Sequence, residues 1–445
     1  KGGTDDRYIT QYILAGIGHL KKMNALPEST NEKVNQFLSN AISYLDKKIK
    51  EDYDNLMKNK SDLSEDHLDR IQIQYLYMRS FFPEYSIPGE TFKAMNYYRK
   101  QSQQFWLQQN KYMQAMIALS LFRTGDNKTA KDILASLKQN AIVNEEMGMY
   151  WKENTAGYYW YQSPVEIESL FIEAFSEITK DERSVENMKT WLLKQKQTQN
   201  WKTTKATAEA CYALLLQETD LLGEEKNVQI QLGNTVISSE DNKAEAGTGY
   251  FKKTIDGYFI KPEMGNISVT VSKPPDQSTV QQFNSSWGAV YWQYFENLDK
   301  ITPSAMPLQL NKKLFIEKNT DHGTVLEPVE ENETLKIGDK IKVRIELRVD
   351  RDMEYVHMKD MRASCMEPTN VLSEYKWQGG LGYYETTKDA STNFFFGWLP
   401  KGTYVFEYPL FVTAAGNFSN GITTIQCMYA PEFVSHSEGF RINVE

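Results

Sequence analysis

Ala206-Thr207-Ala208-Glu209-Ala210-Cys211-Tyr212-Ala213-Leu214 and Val228-Gln229-Ile230-Gln231-Leu232-Gly233-Asn234-Thr235-Val236-Ile237 are the two stretches that decide the fold. The first has a helical pattern. The second alternates apolar with polar residues and carries a hairpin signal at Gly233-Asn234. Between them, near Gly223, the hydrophobic period drops from about 3.6 to about 2. Upstream the chain reads as amphipathic helices, and downstream almost everything reads as short strands. A helical block joined to a β block implies separately folded modules, not one mixed enzyme core.

Working upstream, Asp5-Asp6 cap a helix from Arg7 to about Met23, whose apolar face is Tyr8, Ile9, Tyr12, Ile13, Ile17 and Leu20. Ser29-Thr30-Asn31-Glu32 starts the next. Further helices are predicted over Ser64–Ser80, Thr91–Asn110, Tyr112–Phe122 and Asn127–Gln139, with Gly125 in the left-handed position that closes one of them. Ser163-Pro164-Val165-Glu166 opens another, and Glu182–Lys196 and Thr204–Leu216 complete the set. Helical pairs recur at about fifty residues, which predicts a closed or nearly closed ring of helical hairpins, an α/α toroid.

Working downstream, strands are expected at Gly249–Lys253, Gly257–Ile260, Asn266–Val271 and Trp287–Phe295. Together they make one small β domain. Thr302-Pro303-Ser304-Ala305-Met306-Pro307 reads as a linker. Ile341-Lys342-Val343-Arg344-Ile345-Glu346-Leu347-Arg348-Val349 alternates without a break, so one face is wet and the other buried. With turn signals throughout, the last module is a β-sandwich. The expected fold is therefore multidomain α plus β: a toroid over 1–222, a small β domain over 223–303 and a β-sandwich over 304–445.

Composition narrows the function. The 445 residues are 40% hydrophobic and carry a net charge of -9, and this acidic balance argues against nucleic acid. Aromatics make up 13% of the chain, which suits contact surfaces, although β-sandwiches also use aromatics in their strands. No run approaches the ~20 apolar residues of a membrane span, and no signal peptide is visible. The chain opens at Lys1 without an initiator Met and reads as a fragment of a longer protein.

No catalytic constellation stands out. His19, His67, His322, His357 and His436 show no metal spacing, and each alone reads as a surface or cap residue. Of the three cysteines, Cys211 reads as a buried inert thiol, and Cys365 and Cys427 can pair. Gly379-Gly380-Leu381-Gly382 lacks a following helix and a Lys-Ser/Thr, so it reads as a hairpin turn. Asp350, Asp352, Glu354 and Asp360 form an acidic cluster whose spacing is not that of an EF-hand loop. Glu327, Glu330, Glu331 and Glu333 read as a solvated loop. No catalytic, cofactor-binding or metal-binding residue is assigned, and no cofactor is expected.

Several segments carry a resemblance. Trp287–Phe295, Leu347–Val356, Tyr375–Gly380, Gly402–Tyr408 and Tyr429-Ala430-Pro431-Glu432-Phe433 resemble the C-terminal end of bacterial α2-macroglobulins. The resemblance implies a thioester-domain-like toroid, a CUB-like small β domain and a macroglobulin-like sandwich. It also implies a parent protein that is a broad-spectrum protease inhibitor of the cell envelope, periplasmic or anchored to the outer membrane. Its partners would be proteases and the upstream macroglobulin-like domains of the same chain. The family's Cys-x-Glu-Gln thioester motif is absent here, and Cys211, followed by Tyr212-Ala213-Leu214, is not its cysteine. The resemblance places any thioester upstream of Lys1. Neither an earlier macroglobulin-like domain nor the bait region is present, so this piece alone is not expected to trap a protease. Two other readings remain. One is a carbohydrate-active toroid enzyme using Tyr158, Tyr159, Trp160 and Trp201 with Glu166 or Glu168, although residues two apart point to different helix faces. The other is a structural or adhesive surface module.

Overall fold

The computed structural model describes residues 5–26, 31–152, 163–216, 227–242, 245, 250–272, 288–304, 308–321, 323–330 and 333–445. They form two compact units, residues 1–193 with 201–286 and residues 194–200 with 287–445.

The first unit carries the helices α1 (Arg7–Lys22), α2 (Asn31–Lys58), α3 (Arg70–Arg79), α4 (Gly89–Phe105), α5 (Lys111–Arg123), α6 (Asn127–Gln139), α7 (Pro164–Ala174), most of α8 (Glu182–Thr198) and α9 (Thr204–Leu215). A short hairpin, β1 (Ile142–Asn144) and β2 (Gly148–Tyr150), lies between α6 and α7. Boundaries follow local chemistry. The Asp6 carboxylate accepts from the Ile9 amide at 2.8 Å and caps α1. At the end of α5, Gly125 has φ +94°, and the Asp126 amide reaches back to the Leu121 carbonyl at 2.8 Å. The third helix begins at Arg70 rather than Ser64. The Ser64 hydroxyl is taken up by Asp62 at 2.7 Å, and Asp69 with Gln72 forms the capping box that starts the helix.

Odd-numbered helices pack in succession: α1 on α3, α3 on α5, α5 on α7, and α7 on α9. α9 returns to α1, where the Tyr212 and His19 rings stack at 3.8 Å and 9°. Between them lies a core that includes Leu14, Tyr75, Met113, Ile117, Leu121, Phe171 and Phe175. Burying each such side chain stabilises by about 1.5–3 kcal/mol before ordering costs. Immediately after α7, Phe175–Thr179 forms a π-helical turn.

Residues 227–272 contribute a three-stranded sheet of β3 (Asn227–Leu232), β4 (Thr235–Ser238) and β5 (Ile267–Ser272), with β3 in the middle. The hairpin turn is at Gly233, φ +56°. Two strands expected nearby are absent. Gly257–Phe259 is a 3-10 turn held by the Phe259 amide on the Asp256 carbonyl at 2.9 Å, and residues 250–256 form no ladder. Of Trp287–Phe295, also expected as a strand, the described residues 288–295 form none either. Phe295 is fully exposed there, so β-propensity meets no pairing partner.

The second unit is a β-sandwich. Its strands are β6 (Leu308–Thr320), β7 (Gly323–Pro328), β8 (Thr334–Leu335), β9 (Lys340–Val349), β10 (Met353–Met361), β11 (Met366–Pro368), β12 (Glu374–Gln378), β13 (Leu381–Lys388), β14 (Ser391–Leu399), β15 (Gly402–Val412), β16 (Gly416–Asn420), β17 (Thr423–Cys427), β18 (Ala430–His436) and β19 (Phe440–Val444). One sheet runs β12-β13-β14-β10-β17-β18, the second β11-β15-β9-β6-β7, and a small third β16-β19-β8. β9 buries Ile341, Val343, Ile345, Leu347 and Val349 at alternate positions, as the sequence alternates. They meet Val356, Met358, Phe394 and Phe396 of the other sheet in one core. Gly379 and Gly380, at φ +58° and +82°, make the tight turn between β12 and β13.

Candidate functional site

The inner helices of the first unit converge on a buried polar network. Its members are His19 on α1, Tyr77 on α3, Arg123 on α5, Glu173 on α7 and Tyr212 on α9. Glu173 is the hub, with its side chain 1% exposed. Its Oε1 accepts from Arg123 Nη2 at 2.6 Å and from Tyr212 Oη at 2.9 Å, and Lys22 Nζ lies 3.3 Å away. Its Oε2 accepts from Tyr77 Oη at 2.5 Å. Arg123 also grips Glu177 in bidentate fashion, Nε to Oε1 at 2.8 Å and Nη2 to Oε2 at 2.6 Å. Lys22 binds the same Glu177 carboxylate. The guanidinium lies over the Phe81 ring at 4.1 Å.

Charge follows from this geometry. Burial alone would push the Glu173 carboxyl up, but Arg123, His19 and Lys22 outweigh it and hold it well below the usual carboxylate range. Glu177 is lowered in the same way, against burial, by Arg123 and Lys22. Tyr77 and Tyr212 are raised, first by burial and then by Glu173, so both stay protonated as donors. One layer away lies a second set. Burial pushes the Glu209 and Glu166 carboxyls up and the Lys205 ammonium down. Lys205 sits over the rings of Tyr12 at 5.5 Å and Tyr112 at 5.8 Å.

The sandwich has its own buried charge. Lys312 Nζ lies 2.7 Å from Asp360 Oδ1 and donates to the carbonyls of Met361 at 2.6 Å and Gly421 at 2.9 Å. Thr423 Oγ1 donates to Asp360 Oδ1 at 2.6 Å, and Tyr408 Oη donates to Oδ2. β6 and β15 belong to one sheet and β10 and β17 to the other, so the cluster ties the two sheets together.

The residues singled out from sequence are scattered. Asp360 lies in this core, Asp350 pairs with Arg351 at 2.8 Å, Asp352 accepts from the Lys401 amide, and Glu354 accepts from the Asn200 amide. They do not converge on a cation, and among the described residues no group of three or more His, Cys, Asp or Glu could hold a metal ion. Tyr158, Tyr159, Trp160, His322, Glu331 and Trp287 lie outside the described residues. Trp201 packs against the helical core, and Glu166 and Glu168 are both buried. All three cysteines are free: Cys365 and Cys427 are buried and unpaired, and Cys211 is exposed rather than buried because it faces away from the α9 core side. His19 is buried and networked rather than a surface residue. No local sequence signal marks the network, whose members lie at separations such as 58, 50 and 39 residues.

Among the described residues, neither unit presents a nucleophile–base pair or a carboxylate pair across a cleft. A multidomain α plus β protein with a terminal β-sandwich is the class this architecture defines. Residues 308–432 match the family described as Bacterial Alpha-2-macroglobulin MG10 domain. The match supports the resemblance of the chain to the C-terminal region of a bacterial α2-macroglobulin. A search of curated proteins found no match. Among solved structures, the chain aligns over its full length with Escherichia coli alpha-2-macroglobulin activated by porcine elastase, at 11% identity and TM-score 0.41, spanning 36% of that chain. The trypsin-activated protein from the same organism aligns at 12% identity and TM-score 0.42, again over the full length of this chain and 28% of that one. The native form from domain MG7 to the C-terminus aligns at 10% identity and TM-score 0.30, over the full length of this chain and 64% of that one. The chain spans less than two thirds of the length of each of these solved chains.

Proposed function

We propose that this chain is the C-terminal part of a bacterial α2-macroglobulin-like protease inhibitor that acts by conformational trapping. The observation that carries the reading is the MG10-type sandwich over residues 308–432. The domains are then a thioester-domain-like toroid over 1–222, a CUB-like β domain over 223–303 and a macroglobulin-like sandwich over 304–445. Support for the toroid comes from the succession of odd-numbered helices that returns from α9 to α1. The chain has no catalytic role of its own and no cofactor. Its partners are proteases, met through the full-length protein, and upstream macroglobulin-like domains, with no role for nucleic acid. The full-length protein resides in the cell envelope, in the periplasm or anchored to the outer membrane. Exposed aromatics on the sandwich, Tyr375 at 74%, Trp377 at 79% and Tyr429 at 77%, suit seats for neighbouring domains.

The test uses the full-length protein, treated with methylamine and then with trypsin-like and elastase-like proteases. Mass spectrometry and native gels read adducts and compaction. Methylamine uptake with protease adducts supports covalent trapping through a thioester outside this chain. Compaction without adducts supports a mechanical trap. Neither response overturns the inhibitor reading and favours a structural or adhesive module.

A further inference from the structure

His19 sits where α1 meets α9, and the hydrogen-bond inventory around it leaves one proton to place. The Tyr77 hydroxyl has a single proton, which it gives to Glu173 Oε2 at 2.5 Å. His19 Nε2, 2.8 Å from the same hydroxyl oxygen, must therefore be the donor of that contact. In a neutral ring this leaves Nδ1 as a bare lone pair, and Nδ1 faces Glu209 Oε2 at 3.7 Å. A lone pair opposite an ionised carboxylate, inside a partly buried layer, is repulsive. A proton on either partner turns the contact into attraction: an imidazolium facing a carboxylate, or a neutral acid facing an imidazole.

We propose that His19 Nδ1 and Glu209 hold one proton between them, and that this proton latches α1 to α9, so that the helical unit closes more firmly in mild acid than in base. The surroundings favour retaining the proton. Glu173 lies 3.7 Å from Nε2, and the Tyr212 ring covers the imidazole face. On the other side Glu209 faces Glu166 and Lys205, with Tyr8, Tyr12 and Tyr112 around them. Arg123, Lys22 and Glu177 complete the shell but are bound to one another and to Glu173. Burial raises the Glu209 carboxyl, in the direction of keeping the proton. The linkage sign follows. A carboxyl raised in the fold contributes stability that is lost as pH rises through its folded value, so with Glu209 raised by burial stability falls as pH rises.

The 445-residue chain tests this directly. Helical unfolding is followed at 222 nm from about pH 5.5 to pH 8.5, alongside hydrogen exchange of α1 and α9 peptides. The expected result is a falling thermal midpoint with rising pH, and opening of α1 and α9 that becomes about tenfold more frequent after correction for intrinsic exchange. Glu209→Gln supplies a permanent amide donor to Nδ1, so it should flatten the pH dependence and raise the midpoint at the alkaline end. His19→Gln keeps the donor to Tyr77 but cannot share the proton, and it should flatten the dependence at lower stability. A flat wild-type profile, an unchanged slope in Glu209→Gln, or failure of Glu209→Gln to fold would each overturn the proposal.

Discussion

In the sandwich, Lys312 and Asp360 meet in a core where Met361, Gly421, Tyr408 and Thr423 supply their further hydrogen bonds. In the helical unit, Glu173 gathers Arg123, Tyr77, Tyr212 and Lys22 from α5, α3, α9 and α1. Both bury charge, yet the arrangements serve different ends. The sandwich pair is closed, and it fixes how two sheets face each other. The helical network is open at one edge, where His19 and Glu209 lie at an ion-pair distance rather than a hydrogen bond. Buried charge that is fully satisfied acts as a rivet, whereas buried charge with a titratable margin couples packing to solvent conditions.

Breaking the sandwich pair is the most severe test of this contrast. Asp360→Leu leaves the Lys312 ammonium without its counter-charge, and the expected loss is about 3–5 kcal/mol in guanidinium unfolding of the sandwich. The double variant Lys312→Met with Asp360→Leu should recover most of that loss; if it does not, the pair is more than a rivet. Arg123→Met should cost about 2–3 kcal/mol and act on the helical unit alone, because Lys22 still partly neutralises Glu173 and Glu177. Acid separates the units next. Glu173 and Glu177 are depressed in the fold, so their contribution is full above the unfolded value near ~4.3 and is lost as pH falls through the folded values. Region-resolved hydrogen exchange should show the inner helices opening in acid before the sandwich strands, and simultaneous opening would erase the distinction. The smallest effect is local: Asp126→Ala removes the cap of α6, whose carboxylate accepts from the Thr129 amide at 3.1 Å, for about 1 kcal/mol.

Helix positions were legible because their ends are written locally. Asn127–Gln139 coincides with the element found, and Asp6 and Gly125 cap as their residue types suggest. The error at Ser64 arose where two cap-forming residues competed and the hydroxyl went to Asp62. In the sandwich, unbroken alternation in β9 marked its buried face directly. Trp287–Phe295 misled because strand propensity says nothing about whether a partner strand exists. The polar network was illegible for a similar reason. His19, Arg123 and Glu173 look ordinary one at a time, and only the return of α9 to α1 makes them neighbours.

Cys211 gives this arrangement a built-in observation point. It stands on α9 beside Tyr212, and it is the exposed member of three free thiols. A maleimide dye or spin label added to the unaltered chain should therefore attach there first, while Cys365 and Cys427 stay protected until the sandwich unfolds. Mobility at α9 can then be read as pH or a bound partner changes, without introducing a single mutation.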